Sequence, residues 1–503
     1  SSLFVIARNS AFTYKGKAVK VQDVGREMRV RYVLEGSVQK AGDQVRIIVQ
    51  LIDTATGGQL WSQRFDRPFK DIFALQDEIV QKMVATLGLQ LTLQQEQGWM
   101  VRKHTDNLEA YDSYLRGMEY FWRFTKEATT QQARQMFEKA VALDPQYAEA
   151  YARLGWTYWR EWRLRWSTDP RTLERVLTLA QQALALDDSL PRAHSLLSYV
   201  YAQKQQYDQA LAEGERAIAL DPNNADSYES QAQVLNYAGR PEETLRMMEQ
   251  AMRLNPRSPP IYLQQLGRAY HSTGRYAEAV AILREAISQS PNLLHAYIFL
   301  ADSYVSQWAF QQRADAQTLE QALAAAQRVL ALSDAYPQGH MFLGYVYLWQ
   351  KQYESARAEM EQAIALDPNV ADGYAVLAEG LSRMGRSAEA VGMIEQTLRR
   401  KPLWADLPLS SIGAAYDLAG RSEEAIAPLK QFLSHYSNIL GAHLTLAAVY
   451  SELGRKAEAR AEAAEVLRLN PKFSLEVHKE RAPIKDPALL ERHIAALRKA
   501  GLK

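Results

Sequence analysis

The 503-residue sequence contains no cysteine. This absence excludes disulfide bonds, thiol nucleophiles and Cys-ligated zinc, and it is typical of a protein in a reducing cytoplasm. Lysine and arginine total 59 and aspartate and glutamate total 58, so a net charge of +1 gives no overall field that would attract nucleic acid. No stretch reaches the roughly 18 to 20 consecutive apolar residues of a membrane span. We therefore predict a cytoplasmic protein with no nucleic-acid partner and no membrane insertion.

The sequence does contain an internal repeat. Helix-ending triplets of the Leu-Asp-Pro type place proline, or a substitute for it, at one recurring position. Seven of the nine steps between these positions are 34 or 35 residues, and the other two are 43. The positions are Pro145, Asp188, Pro222, Pro256, Pro291, Asp334, Pro368, Pro402, Ser437 and Pro471. A unit this short cannot bury its apolar face alone, so the period predicts helix pairs stacked in a row.

Within each period the residues resemble those of the tetratricopeptide repeat (TPR) family. The repeat that ends at Pro291 has the packing residues of that family at Leu266, Gly267, Tyr270, Gly274, Tyr276, Ala279 and Ala286. The small residue after leucine lets two helices approach closely, and the terminal proline ends the second helix. We predict a mostly α-helical fold, a TPR α-solenoid of about ten helix-turn-helix repeats with a small N-terminal α/β module.

Two repeats carry roughly nine extra residues between their two helices. The first insertion contains WTYWREWRLRW, residues 156–166, and the second contains residues 306–321. We expect either a lengthened first helix or a long loop. On a continuous helix Trp159, Trp162 and Trp166 would lie within about 60° of one another, with Trp156 at the edge of that stripe. We expect the rings mainly to pack against the next repeat, and a partner contact by Trp156 and Trp159 remains the alternative.

The first hundred residues have a different pattern. Alternating apolar residues and turn residues predict strands and short helices. The expected strands are Leu3–Arg8, Arg31–Gln39, Gln44–Asp53 and Gln59–Phe65, and the expected helices are Val21–Met28 and a longer one that starts at Asp71. The segment resembles the TolB N-terminal-like module that precedes TPR arrays in bacterial class III adenylate cyclases. A first strand with nothing before it to pair with predicts that upstream sequence is missing.

This resemblance implies a domain plan and a parent protein. The plan is an α/β module over residues 1–97, a TPR solenoid over 98–474, and a capping segment with a helix over 475–503. In the capping helix, Asp486 is expected at the N-cap, Pro487 at the first position and Gly501 at the C-terminal end. The parent would be a cyclase whose catalytic domain lies outside this chain. The same module and array also occur behind winged-helix DNA-binding domains and protein kinases, so those parents remain open.

No catalytic pattern is found in the sequence. There is no phosphate-binding glycine loop, no G-x-S-x-G elbow, no H-E-x-x-H pair and no paired metal-binding aspartates of a cyclase. His194, His340 and His443 recur near the start of the first helix of their repeats, where we expect them to be packed. We therefore predict that this chain is not an enzyme and has neither a cofactor nor a metal site.

A binding site is predicted instead. In TPR arrays the first helix of each repeat lines the concave groove, where extended peptides or helices can dock. The groove residues expected here are Trp156, Trp159, Tyr199, Gln233, Asn236, Arg268, His271, Asp302 and Tyr345. This set is aromatic and of mixed charge, and it lacks the pattern of lysines and asparagines at the positions that clamp a C-terminal carboxylate in some TPR domains. We predict a protein or peptide partner, possible partners including the catalytic domain of the parent itself; the oligomeric state is left open.

Overall fold

A computed structural model of the chain describes residues 4–87, 105–122, 127–164, 166–167, 169–313, 315, 317–369, 371–400 and 407–503. The chain forms two compact units, which we describe separately. The first comprises Ser1–Gln231 and Gln250–Ser258, and the second comprises Ala232–Glu249 and Pro259–Lys503. The predicted boundary between residues 97 and 98 lies outside the described residues.

The chain begins with a small sheet and three helices. The helices are α1 (Arg8–Phe12), α2 (Val21–Met28) and α3 (Ile72–Thr86), and the strands are β1 (Tyr32–Ala41), β2 (Gln44–Asp53) and β3 (Gln59–Pro68). The strands pair antiparallel in the order β1-β2-β3. Alternate residues of β2, such as Val45 and Val49, are buried against Ile72 and Leu75. The three strands predicted within residues 31–65 are therefore confirmed.

The predicted strand at Leu3–Arg8 is wrong. Residues 4–7 have no regular structure, and α1 starts at Arg8. The Ala7 N–H donates to the carbonyl of Leu254 at 2.7 Å, and the buried Ser10 hydroxyl bonds to Asn255. This short segment is thus held by the end of a helix in the same unit and not by a sheet. A short apolar run does not determine the kind of partner its backbone will find.

Ten helix pairs follow within the described part of the chain, each with a first helix A and a second helix B. The A helices are α4 (Leu108–Trp122), α6 (Ala148–Arg163), α8 (Pro191–Gln203), α10 (Ala225–Tyr237), α12 (Pro260–Ser272), α14 (Leu294–Ala309), α16 (Pro337–Trp349), α18 (Ala371–Arg383), α20 (Leu407–Leu418) and α22 (Leu440–Glu452). The B helices are α5 (Glu127–Leu143), α7 (Thr172–Leu186), α9 (Tyr207–Leu220), α11 (Pro241–Leu254), α13 (Tyr276–Gln289), α15 (Gln317–Leu332), α17 (Tyr353–Leu366), α19 (Ser387–Leu398), α21 (Ser422–His435) and α23 (Lys456–Leu469). The predicted TPR α-solenoid architecture is confirmed.

Small residues set the distance between the two helices of a pair. A Cβ atom added to Gly267 on α12 would lie 2.5 Å from Cγ of Leu283 on α13. Ala279 and Ala286 on the same B helix are fully buried. Helices can pack this closely only where side chains are small, so the recurring glycine and alanine residues dictate the pairing.

The two insertions lengthen helix A by about a turn and then form a loop. Helices α6 and α14 have 16 residues each, whereas α12 and α16 have 13. The lengthened helix expected from the sequence is confirmed. The expectation that Trp166 continues the tryptophan stripe is wrong, because α6 ends at Arg163 and Trp166 follows in the loop, where its N–H donates to the carbonyl of Glu161 at 3.0 Å.

Two helices complete the chain, α24 (Leu475–Arg481) and α25 (Pro487–Ala500). The Asp486 side chain accepts hydrogen bonds from the N–H groups of Ala488 and Leu489, and Gly501 has a φ of 110°. Ile494 and Leu497 are fully buried and belong to the same apolar cluster as residues of α22 and α23. The predicted capping helix is confirmed at both of its ends.

The close approach at a small residue gives a direct stability test. We expect Gly344→Ala on α16 to lower the free energy of unfolding by about 1–3 kcal/mol, because its Cβ would lie 2.9 Å from the backbone oxygen of Ala356. The matched control is Gly392→Ala on α19, where the added Cβ meets no atom within 4 Å. That change should raise the free energy by about 0.5–1 kcal/mol, through helix propensity alone. Urea unfolding measures both, and equal effects of the two changes would contradict the packing argument.

Candidate functional site

Three histidines form the same structural link between helices A and B. His194 Nδ1 lies 2.6 Å from Oε2 of Glu213, and its Nε2 lies 2.9 Å from the carbonyl oxygen of Asp188. His340 and His443 repeat this geometry with glutamates 19 residues further on, at the same 2.6 Å. The three histidines are thus packed, as expected from the sequence, and each joins an A helix to its B helix. We call each such pair a histidine link.

In the first unit the inserted tryptophans stack on the next repeat. The Trp159 side chain is only 3% exposed, and its ring is stacked on Tyr199 at 5.0 Å between centroids. Trp162 is in turn stacked on Trp159 at 5.2 Å, and Trp156 meets Tyr199 edge-on at 5.4 Å. The rings therefore mainly fill the space between repeats, as expected, while Trp156 and Trp162 remain part-exposed. We call these four residues the aromatic cluster.

A buried carboxyl group adjoins the aromatic cluster. The Tyr199 hydroxyl donates to Oε2 of Glu229 at 3.3 Å, and Oε1 of Glu229 has no hydrogen-bond partner among the described residues. Burial raises the pKa of Glu229 to about 7, because ionisation in an apolar surrounding is costly. Next to Trp159 on α6, the buried Arg160 donates to the carbonyl of Phe121 at 3.0 Å. The A helices of the first unit therefore combine aromatic and polar side chains.

In the second unit the A helices line a cavity of about 270 Å³. Its walls come from helices α12, α14, α16, α18, α20 and α22. Four residues predicted from the sequence are brought together around it, namely Arg268, His271, Asp302 and Tyr345. The A helices thus line the interior of this unit as expected. Whether these residues bind a partner stays a prediction.

The predicted cavity residues also bond to one another. His271 Nε2 lies 3.1 Å from Oδ2 of Asp302. The Arg268 guanidinium lies between the rings of Tyr237 and Phe299, at 5.1 and 5.4 Å. It also donates to the carbonyl of Asn236 at 3.3 Å.

The remaining predicted residues of this unit are buried beside the cavity and do not line it. Gln233 donates to the Tyr237 hydroxyl at 3.0 Å, and Asn236 donates to Gln265 at 3.4 Å. Gln233 and Asn236 therefore position the neighbours of Arg268. Trp156, Trp159 and Tyr199 belong to the first unit, so the nine predicted residues fall into two separate groups.

Sequence reasoning missed several charged residues of the cavity wall. Glu379 and Arg383 on α18 form an ion pair at 2.8 Å, and Asp417 on α20 is 1% exposed. The spacing of the sequence did contain a signal for Glu379 and Asp417. Glu379 lies 34 residues after Tyr345, and Asp417 lies 34 residues after Arg383, so both continue rows of equivalent helix A positions.

The C-terminal segment, residues 474–493, covers one side of the cavity. Its residues His478, Ala482, Ile484 and His493 are part of the cavity lining. Arg481 donates to the carbonyl of Trp308 at 2.7 Å, the Lys485 N–H donates to the carbonyl of Arg383 at 2.8 Å, and Arg492 donates to the carbonyl of Asp417 at 2.7 Å.

The three accepting carbonyls share one location. Each lies in the last turn of an A helix, namely α14, α18 or α20. The last carbonyls of a helix have no partner within the helix and carry its negative dipole end. Donors from the C-terminal segment satisfy these groups in three repeats, and this fixes the segment against the cavity.

The second insertion lines another side of the cavity. Its Phe310 ring packs against Gly441, where an added Cβ would lie 2.8 Å from the ring. Asn470 donates from Nδ2 to the Phe310 carbonyl at 2.9 Å, and Gln311 bonds to Ser474 at 2.8 Å. The sixth repeat is thereby joined to the tenth repeat and to the C-terminal segment.

At the rim of the C-terminal segment lies a buried group of titratable side chains. Asp417 Oδ2 is 3.8 Å from His493 Nδ1, and His493 Nε2 is 3.3 Å from His478 Nε2. Burial raises the pKa of Asp417 to about 8, and the carboxylate of Glu452 adds to this rise. Burial lowers the pKa of His478 to about 4. These three groups are therefore largely uncharged near neutral pH.

Comparisons with known proteins agree with this architecture. Four segments match models described as tetratricopeptide repeat, at residues 191–224, 235–301, 337–370 and 440–473. The chain is therefore a TPR-repeat protein in its fold, and such repeats imply a protein-interaction role.

Similar proteins match parts of the chain. A protein of Rhizobium meliloti (strain 1021), provisionally named adenylate cyclase 3, is 40% identical over 211 residues, which cover 42% of this chain and 36% of that protein. The BBSome complex member BBS4 homolog of Drosophila melanogaster is 22% identical over 260 residues, covering 51% of this chain and 52% of that protein. A crystal structure of a TPR protein of Thermus thermophilus covers 40% of this chain and 99% of that one, with 26% identity and a TM-score of 0.34. The chain spans about a third to a half of the length of these curated relatives.

Neither a membrane-spanning helix nor a metal-binding group is found among the described residues. None of their helices combines the length and the apolar character needed to cross a bilayer. Among the same residues, no three His, Asp or Glu side chains are grouped so that they could hold a metal ion.

The histidine link at His443 predicts a pH-dependent stability. Burial opposes protonation of His443, but its bonds to Glu462 and to the carbonyl of Ser437 outweigh this and raise its pKa. Since the folded state holds the proton more tightly than the ordinary value of 6.5, the link stabilises the fold fully below that pH. This gain is lost as pH rises through the raised pKa.

We therefore expect Glu462→Gln to lower the free energy of unfolding more at pH 5.5 than at pH 8.5. The loss at pH 5.5 should exceed the loss at pH 8.5 by about 1 kcal/mol. Differential scanning calorimetry at both pH values measures it. The control is Glu458→Gln on the same helix, because Glu458 pairs with Arg455 and not with a histidine. A loss of stability at Glu462→Gln that is the same at both pH values would contradict the assignment.

Proposed function

We propose that this chain is a non-catalytic regulatory and protein-interaction region of a bacterial class III adenylate cyclase, with a TolB N-terminal-like module before its repeats. Support comes from the 40% identity to the Rhizobium meliloti protein and from the ten stacked helix pairs. The sheet with strands β1 to β3 matches three of the four strands expected for the module, and the first expected strand is not formed. The proposed location is the cytoplasm.

We place the partner at the aromatic cluster of the first unit. Trp156 and Trp162 expose part of their rings there, and large aromatic side chains dominate the binding energy of protein interfaces. The interior of the second unit is less suited to a protein partner. The C-terminal segment covers one side of its cavity. The cavity volume of about 270 Å³ is also too small for a helix, which has a diameter of about 10–12 Å.

The test uses the part of the Rhizobium meliloti relative that lies outside the matched region. We expect it to bind the purified chain, and Trp156→Ala combined with Trp162→Ala to weaken this binding by about tenfold or more. Biolayer interferometry measures the affinity, and circular dichroism verifies that the variant is folded. The control is Trp61→Ala, a part-buried tryptophan of the sheet in the same unit.

Several outcomes would contradict the proposal. Equal weakening by Trp61→Ala and by the double change would remove the partner from the aromatic cluster. Formation of cyclic AMP from ATP by the purified chain alone would contradict the non-catalytic role. A winged-helix domain in the reading frame before Ser1 would favour the alternative parent, a transcription activator, and a kinase domain there would favour a TPR-containing protein kinase.

A further inference from the structure

We propose that the cavity of the second unit is a binding site for a small organic cation, an amine with an aromatic or apolar body, whose ammonium group donates to Asp417. This site is distinct from the aromatic cluster of the first unit. The inference therefore stands or falls independently of the proposed function.

The walls of the cavity suit an aromatic body. Three aromatic pairs contribute to its lining, with ring centroids 4.9 to 6.4 Å apart. These pairs are Tyr276–Phe310, Tyr345–Trp349 and Phe432–Tyr436. Aromatic faces attract cations and stack on other rings, so they accommodate both parts of such a ligand. A volume of about 270 Å³ lies near the lower limit for cavities that bind small molecules.

The acidic groups of the lining favour a positive ligand over a negative one. Four carboxyl groups face two guanidinium groups around the cavity, the former being Asp302, Asp372, Glu379 and Asp417 and the latter Arg268 and Arg383. Arg383 is already paired with Glu379 at 2.8 Å, and Arg268 is bonded to the carbonyl of Asn236. An anionic ligand would have to compete with these bonds.

Asp417 supplies the observation that points to a ligand. It is 1% exposed and belongs to the lining, yet its Oδ1 has no hydrogen-bond partner among the residues the structure describes. Gln338 is also buried and part of the lining, and its Oε1 likewise has no hydrogen-bond partner among the described residues. Leaving a buried acceptor unsatisfied is costly, so a ligand that brings an N–H donor to Asp417 Oδ1 is favoured over one that does not.

The position of Asp417 on its helix strengthens this preference. It occupies the last turn of α20, where the helix offers carbonyl oxygens and no unused N–H groups. The negative end of the helix dipole also disfavours an anion there. A carboxylate at such a place is stabilised best by a cation from outside the helix.

Binding of a cation should depend on pH. An ammonium group beside Asp417 favours the ionised carboxylate, so Asp417 must release its proton on binding at any pH below about 8. Affinity should therefore rise by about tenfold per pH unit from about pH 6 and level off above about pH 8. The groups that face Asp417 from neighbouring helices are Arg383 on α18, Glu452 on α22, and Arg492 and His493 on α25. His493 in turn contacts His478 on α24. The two histidines have lowered pKa values, so they stay neutral over this range.

The experiment compares three matched compounds by isothermal titration calorimetry on the full chain. Tyramine carries an ammonium group, tyrosol carries a hydroxyl in its place, and 4-hydroxyphenylacetate carries a carboxylate. We expect tyramine to bind about tenfold or more tightly than the other two at pH 8, and to release a proton at pH 6.5. Proton release is measured by repeating the titration in buffers of different ionisation enthalpy.

Two variants locate the site. Asp417→Asn keeps the shape of the side chain and should remove the preference for tyramine over tyrosol together with the proton release. Ala414→Phe, one helical turn away in the lining, should fill the cavity and abolish binding of all three compounds. Asp208→Asn changes an exposed aspartate of the first unit and should leave every affinity unchanged.

The outcomes are distinct. Loss of the preference in Asp417→Asn with unchanged binding in Asp208→Asn would support the proposal. Absence of tyramine binding, equal affinity for tyramine and tyrosol, or tyramine binding that survives Ala414→Phe would overturn it. In the equal-affinity case the cavity would be an apolar or water-filled space with no preference for charge.

Discussion

The close approach of helix A to helix B at small residues is the constraint on which the rest of this structure depends. Where Gly267 faces Leu283 or Gly344 faces Ala356, no larger side chain fits, so the two helices of a pair have a single arrangement. Because this contact recurs at a nearly constant period, equivalent positions of successive A helices form rows. Asp302, Tyr345 and Glu379 belong to one such row, and in the second unit the row lies on the wall of the cavity. Packing of small residues thus determines where the polar residues gather.

A deviation from the period adds another wall to the cavity of the second unit. The extra residues after α14 carry Phe310 and Gln311 to Gly441, Asn470 and Ser474. The C-terminal segment then bonds to carbonyls at the ends of three A helices. Basic side chains and backbone N–H groups are the natural partners of helix C-terminal ends, so this segment is held by general properties of helices and few specific side-chain pairs are needed.

Local pattern made the repeats, the helix boundaries and the capping helix predictable, because small residues, prolines and caps act within one helix pair. The packing of His194, His340 and His443 was also predictable, since the three histidines recur at one position of the repeat. The Leu3–Arg8 strand was wrong because its backbone partner, Leu254, is distant in the sequence. The cavity was beyond prediction for the same reason, since contacts such as Phe310 with Asn470 join residues 160 positions apart. Glu379 and Asp417 were predictable from their rows, whereas His478 and His493 lie outside the repeats and had no comparable signal.

Arginines and buried carboxyl groups find different hydrogen-bond partners in this fold. The buried Arg160 and the part-exposed Arg481 and Arg492 each reach a backbone carbonyl, and carbonyls without partners are available at helix C-terminal ends. Buried carboxyl groups need N–H donors, which helices offer only in their first turn. Glu229 and Asp417 lie outside the first turn of their own helices, and each retains an oxygen without a partner among the described residues. Both consequently hold their proton to a higher pH than an exposed carboxyl would. At each of these two positions a buried acceptor has no donor among the described residues, so a molecule that brings a donor or a positive charge to it is favoured there.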